Sequence, residues 1–336
     1  MSDSVKTQPT SDLITQSGNG WVAQRMLEKG FNAAALRTNT LLNKYEWIQF
    51  DQVVIEVARQ RLNGVADLIN AGLTFGLDDA LGVTQVEWEV MSDMTAAQQS
   101  MDGITRGERD RLDFTLKNLP VYITHKDFGL SLRHLRASRR MGQPLDTTQA
   151  AVAARLVSDK IENSLFNGPG ITVGTSTAYG YLNHPNINAI TYETNDPWTS
   201  YPTKTGVEIV TDVMSMITAL HADNYFGPYT LYVPGNYWVI IQNDFKGESD
   251  RTILERILAI DKVTAVRPCD FLPANTTLMV QMTSDVVDLV VGEQVQTVQW
   301  ESEGGFMAHF KVLAVMVPRV KADYDGRSGI CKGTPS

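Results

Sequence analysis

Two stretches decide how this chain is read: VTQVEWEV at residues 83–90 and RLDFTLKNLPVYI at residues 111–123. In the first, Val86, Trp88 and Val90 alternate with Gln85, Glu87 and Glu89, the period of a half-exposed β-strand. In the second, Leu112, Phe114 and Leu116 alternate with Asp113, Thr115 and Lys117, and Val121 and Ile123 continue the extended run past Pro120. Between them lie about twenty mostly polar residues, SDMTAAQQSMDGITRGERDR. A compact domain rarely keeps a loop beyond about 12–15 residues unless the loop is used. Two amphipathic strands with such a tip predict a projecting hairpin. A two-stranded ribbon has little core of its own, so this arm is expected to lie on another molecule. The plainer alternative is a hairpin with an ordinary surface loop.

Outward from the hairpin, Asp127 to Met141 reads as a helix with Leu130, Leu132 and Leu135 on its apolar side. Arg133, Arg136, Arg139 and Arg140 cluster on it; without interleaved aromatic residues they read more readily as ion pairs at a face or interface than as a nucleic-acid site. Residues 146–166 form the strongest helix, with Asp146 or Thr147 as its cap. Ala150, Val152, Ala153, Leu156, Val157, Ile161, Leu165 and Phe166 give its 3.6-residue stripe, and Gly168, Pro169 and Gly170 stop it. That is a rod of roughly 30 Å. Residues 171–200, rich in Gly, Pro, Asn and Thr, read as a linker with short strands.

A second unit starts near Lys204. Val207 to Ala222 is helical by pattern, Tyr229 to Val233 is a strand, and Tyr237 to Asn243 and Arg251 to Ala259 are helical. Val263 to Val266, Thr277 to Met282 and Val286 to Val291 are short β-branched strands. The alternation predicts a small mixed sheet. FMAHFKVLAVMVPRV, from Phe306, is too apolar for an open edge and is expected to close back onto the first unit. Upstream, residues 1–20 read as a flexible arm, Trp21 to Leu42 as weakly helical, Val53 to Val57 as a strand or extended lead-in, and Asn63 to Ala71 as a short helix. The polar tail from Asp323 is expected to be mobile.

Composition narrows the function. The chain has 336 residues, 43% apolar and 20% charged, enough for about two domains with real cores. Lys plus Arg is 29 against 38 Asp plus Glu, a net charge of −9. A sequence-reading nucleic-acid binder needs the opposite balance, although an acidic wall can face nucleic acid without gripping it. Cys269 and Cys331 are too few for a disulfide framework or a four-thiolate metal site, and read as free thiols in a reducing compartment. No secretory leader pattern and no long apolar span appear, and no long segment precedes the arm that would suggest a fused scaffolding domain. No phosphate loop, zinc-protease motif or nucleophile elbow is found. The histidines, His125, His134, His184, His221 and His309, are scattered and read as satisfied or surface residues. Asp78-Asp79 and Glu301 with Glu303 lack an acid–base partner. Asn275-Thr276-Thr277 is a formal glycosylation sequon without any sign of secretion. No catalytic residue, cofactor or metal is expected.

In order, the elements are an arm, a long projecting loop, a long helix, a compact α+β unit and a returning strand. This α+β succession resembles the Hong Kong 97 capsid fold of tailed-phage major capsid proteins and encapsulin shells. PVYITHKDFGLSLRHLRASRRMG (120–142) resembles the encapsulin-like passage from the extended loop into the peripheral domain. KIENSLFNG (160–168) resembles the end of the family's spine helix, FGPYTLYVPGNYWVIIQND (226–244) its axial-domain strand and following helix, and DVVDLVVGEQVQTVQWESEGG (285–305) the late axial segment.

The resemblance implies an N-terminal arm over 1–45 and a peripheral domain over 46–204 and 304–325. That domain would hold an extended loop at about 80–120 and a spine helix at about 146–166. An axial domain over 205–303 and a flexible tail over 326–336 complete the expectation. It further implies a major capsid protein, assembled into pentamers and hexamers in the bacterial cytoplasm. The shell would enclose double-stranded DNA without sequence-specific binding and without a membrane. Separate scaffolding, portal and cement proteins are possible partners. An encapsulin compartment with protein cargo is the alternative and a soluble α+β enzyme the remote one. Candidate contacts between subunits are Trp88, Met94, Met101, Arg106, Arg109, Arg133, Arg136, Arg139 and Arg140, with Ala97 also buried on the neighbour. The loop tip has no lysine, which argues against an isopeptide cross-link made there.

Overall fold

The computed structural model describes residues 52–58, 62–97, 99, 101, 111–131, 133, 147–192, 196–246, 251–302 and 306–335. In chain order the elements are α1 (Asn63–Asn70), β1 (Thr74–Gly76), β2 (Gln85–Met91), β3 (Phe114–Pro120), β4 (Thr124–Ser131), α2 (Thr148–Asn167), β5 (Thr172–Val173), β6 (Ser176–Thr177) and β7 (Asn188–Thr191). There follow α3 (Gly206–Ala222), β8 (Tyr229–Val233), α4 (Gly235–Ile240), α5 (Ile253–Leu258), β9 (Val263–Pro268), β10 (Thr277–Gln281), β11 (Val287–Ser302), β12 (Met307–Val320) and β13 (Ile330–Thr334).

α2 forms where the apolar stripe predicts. Ala150, Ala153, Val157, Ile161 and Leu165 are buried at steps of three, four, four and four. Thr147 takes the N-cap position, but its side chain makes no capping bond. Gly168 ends the helix at φ +74°, where a side chain would be strained and a Cβ would strike Asn183 and the backbone of Gly180. The buried face of α2 lies across β12 and β4. Those strands belong to a first sheet of order β1-β11-β12-β4.

The second sheet has the order β7-β13-β10-β8-β9. Its faces serve two cores. Tyr232, Leu278, Val280 and Ile330 join Phe166 and Tyr181 on the α2 side. Leu231, Val233, Met279 and Cys331 join Trp198, Ile209, Val213 and Ile257 on the other. Burial on both faces explains why β8 and β10 are apolar or fully covered at every position. α3 covers β13 and β7, and α5 covers β9.

Four expectations are corrected. Residues 52–58 are helical, not extended: Val54 and Ala58 are buried one helical turn apart, which the β-branched run concealed. Thr124–Ser131 is a strand where a helix from Asp127 is expected; it pairs antiparallel with β12, Leu130 opposite Ala308, and this pairing overrides the helical spacing of its leucines. The segment 287–302 does not stay with the second unit. It runs antiparallel to β12 from Val287↔Val320 to Ser302↔Met307 and so belongs to the first sheet. The tail is not a loose end. β13 lies between β7 and β10 with Ile330 and Cys331 fully buried, because it fills the gap between two strands that otherwise have no partner there. The expected arm over 1–45 and the weak helix over Trp21 to Leu42 lie outside the described residues.

Candidate assembly surfaces

β2 and β3 form the expected hairpin, in register from Gln85↔Pro120 to Met91↔Phe114. Its root is fastened to the body. Val86 and Leu119 are buried with Tyr122, Ala178, Val290 and Val317 in a small core of their own. Arg319 lies between the rings of Trp88, at 5.3 Å, and Phe75, at 4.8 Å. Arg319 in turn grips Asp288, its cross-strand neighbour, with Nε donating to Oδ1 at 2.8 Å and a second bond from Nη2 to Oδ2. Lys321 reaches the same carboxylate at 2.8 Å. The β5–β6 hairpin packs on β3 and takes a hydrogen bond from Gln85 to the Val173 carbonyl.

Beyond the root the ribbon changes character. Register places Met91 opposite Phe114 and Glu89 opposite Leu116, on the face away from Val86 and Trp88. Phe114 is 60% exposed and Leu116 is 54% exposed. Met91, Met94 and Met101 are also more than half exposed. Five large apolar side chains exposed on one hairpin are more than scattered surface residues.

The expected contact residues fall into three groups. Met94 and Met101 stand exposed at the hairpin tip, and Arg133 is exposed just past β4. Trp88 stacks on Arg319 of its own chain, so its ring face is engaged within the molecule. Arg106, Arg109, Arg136, Arg139 and Arg140 lie outside the described residues. Phe114 and Leu116 were legible as alternating apolar residues, but not as the outward set, and Met91, in phase with Gln85, Glu87 and Glu89, was not singled out. Alternation fixes two faces for each strand, and only the register across a long loop says which faces coincide.

The interior holds titratable groups with structural duties. Glu162 of α2 is buried and accepts hydrogen bonds from the backbone N–H groups of Gly64, at 2.5 Å, and Val65, at 3.3 Å, at the start of α1. Burial pushes its carboxyl up to about 7, and the amide bonds pull it partly back. It lines a cavity of about 430 Å³ with Asn63, Asp159, Tyr232, Cys269 and Asp270. A carboxyl near neutrality beside a cavity has the chemistry of a general acid, but this one is already engaged as the cap of α1. Burial raises both thiols, Cys269 and Cys331, to about 12, which makes them poor nucleophiles. Among the described residues no three His, Cys, Asp or Glu side chains group to hold a metal, and no helix is long and apolar enough to cross a membrane.

The family model described as a family of unknown function, DUF6260, matches residues 32–333. The chain belongs to DUF6260. Among curated proteins this DUF6260 chain is similar to the type 1 encapsulin shell protein EncA of Myxococcus xanthus (strain DK1622), 29% identical over 152 residues. That match covers 43% of the chain and about half, 49%, of the relative's length. Among solved structures, the capsid of Myoviridae phage XM1 superposes with a TM-score of 0.63 at 14% identity, over 80% of this chain and 91% of that one. A virus-like particle from Pyrococcus furiosus superposes with a TM-score of 0.61 at 15% identity, over 86% of this chain and 99% of that one. The DUF6260 chain therefore has the Hong Kong 97-type capsid fold, an α+β fold.

Proposed function

We propose that this protein is a major capsid protein whose copies assemble into the icosahedral shell around the double-stranded DNA of a tailed phage. The observation that carries the reading is the projecting hairpin. It is packed at the root, apolar beyond it, and attached to a fold shared with the capsid of phage XM1. A shell protein needs many copies and many weak contacts rather than a reaction centre. The hairpin supplies a contact that reaches beyond its own body, with Met94, Met101, Phe114 and Leu116 buried on a neighbour and Arg133 at an adjoining interface. In this reading α2 is the spine of a peripheral domain and α3 with the second sheet forms an axial domain around the vertices. The net charge of −9 suits an inner wall that does not adsorb packaged DNA. Scaffolding, portal and cement proteins are candidate partners, the virion capsid is the proposed location, and the host bacterial cytoplasm is the site of assembly. No enzymatic activity is assigned.

The similarity to EncA favours a second reading, a protein compartment with enzyme cargo instead of DNA. Expression of the full chain and negative-stain imaging test both. Closed particles are expected, and particles purified from a phage infection containing DNA separate the first reading from the second. Removal of residues 95–108 is expected to leave a soluble folded subunit and abolish particles. Normal particles from that deletion would end the role given to the hairpin.

A further inference from the structure

α1 sits as a clip between α2 and the second sheet. On one side the backbone N–H groups of Gly64 and Val65 donate to Glu162 of α2. On the other, Asp67 accepts a hydrogen bond from the Tyr232 hydroxyl of β8 at 3.1 Å and pairs with Arg267 of β9 at 3.6 Å. Under the clip the interior is not filled. The cavity of about 430 Å³ lies between Asn63 and Gly64 of α1, Asp159 and Glu162 of α2, and Cys269 and Asp270 after β9. The charges around Glu162 are of one sign. Asp67, Asp159 and Asp270 are carboxylates, and Tyr181, Tyr232 and Cys269 are held neutral by burial. Among the described residues that line the cavity there is no lysine or arginine. Arg267 stands behind Asp67, 55% exposed, and answers that carboxylate. Glu162 itself is 2% exposed. When ionised it therefore has amide donors but no counter-charge, the costly way to bury a carboxylate.

We infer that α1 is a proton-controlled clip: it is closed while Glu162 carries its proton, and ionisation of Glu162 releases the first turn of α1 from α2 and opens the cavity, with Cys269 in it, to solvent. The clip works in a lone subunit or in a shell, so it does not depend on the shell reading. Release is local because α1 is eight residues long and buries only Gly64, Val65 and Leu68, far less than the sheets behind it. Burial holds the Glu162 carboxyl up at about 7 against 4.5 for a solvated one. The docked form therefore binds the proton more tightly, and docking is strongest below about pH 4.5 and weakens as pH rises through 7. Between pH 6.0 and pH 8.5 those two values shift the balance of released to docked by about tenfold.

The two native cysteines report on this without any substitution. Both are buried, and burial raises both thiols to about 12. The ordinary rise of thiol reactivity with pH therefore cancels in the ratio of their labelling rates. Cys269 lines the cavity, whereas Cys331 packs on the opposite face of the second sheet with Met279 and Val213. Maleimide labelling of the full chain is read by peptide mass spectrometry at pH 6.0 and pH 8.5. The ratio of Cys269 to Cys331 labelling is expected to rise about tenfold in the wild-type chain and to stay within about twofold in Glu162→Gln. Hydrogen exchange of the wild-type chain is a second reading. Protection factors of the α1 amides are expected to fall about tenfold over the same range, with those of β10 unchanged. A constant labelling ratio in the wild-type chain, or an equal rise in Glu162→Gln, would overturn the clip. So would α1 protection that does not change, or that falls only together with β10.

Discussion

At the scale of single residues, Glu162 joins α2 to α1. Its partner Gly64 has no room for a side chain: a Cβ there would come within 2.9 Å of Phe166 and 3.0 Å of Leu165. The carboxyl titrates at about 7 in the folded chain against 4.5 in the reference state. The folded chain therefore holds that proton more tightly than the unfolded one. Its ionisation costs no stability below about pH 4.5, and stability is lost as pH rises from there to about 7, by about 3 kcal/mol. Glu162→Gln keeps an acceptor for the Gly64 N–H and removes the titration. Its melting temperature is expected to gain on wild type between pH 5 and pH 7.5, and parallel pH curves would show that Glu162 does not titrate there. Arg319→Ala leaves Asp288 buried with Lys321 alone. The expected loss is about 3–5 kcal/mol, with a smaller loss in the double variant Arg319→Met, Asp288→Asn, read from denaturant unfolding. Neither pair was legible in the sequence, because each joins positions far apart in the chain whose proximity depends on two elements docking.

At the scale of elements, legibility followed how local the signal was. α2, α3 and β8 repeat their apolar period over several turns or a whole strand, and each stands within two residues of where its pattern puts it. β4 and β13 carry weak or misleading local patterns and are strands only because a neighbour offers an unpaired backbone. β13 is the sharper case. Its sequence, ICKGT, is short and half polar, yet it sits inside a five-stranded sheet. A chain ending after Ser328 is expected to expose the edges of both β7 and β10 and the apolar side of α3. Such a chain should be recovered as insoluble material or as a species that binds a hydrophobic dye; a soluble product melting at the wild-type temperature would show that β13 is dispensable. The hairpin teaches the same lesson about faces. Its existence was readable from two alternating runs, while its outward apolar set needed the register.

At the scale of the whole molecule, charge sets how copies approach. Subunits at −9 repel over a distance that shrinks from about 30 Å to about 8 Å as ionic strength rises from about 0.01 M to 0.15 M. Assembly driven by the apolar hairpin is therefore expected to increase over that range, followed by light scattering at fixed subunit concentration. A decrease would place the main contacts on arginine–carboxylate pairs instead. The residue order by itself determined the long helices, the hairpin, the acidic balance and the absence of local catalytic motifs, since each is a property of neighbours along the chain. Only the tertiary structure decided that β11 joins the first sheet and not the second, that the last strand fills the second sheet between β7 and β10, and that Arg319 locks the hairpin root. Those outcomes depend on which backbone edges and which faces are left uncovered once everything else has packed, a quantity that no stretch of sequence contains.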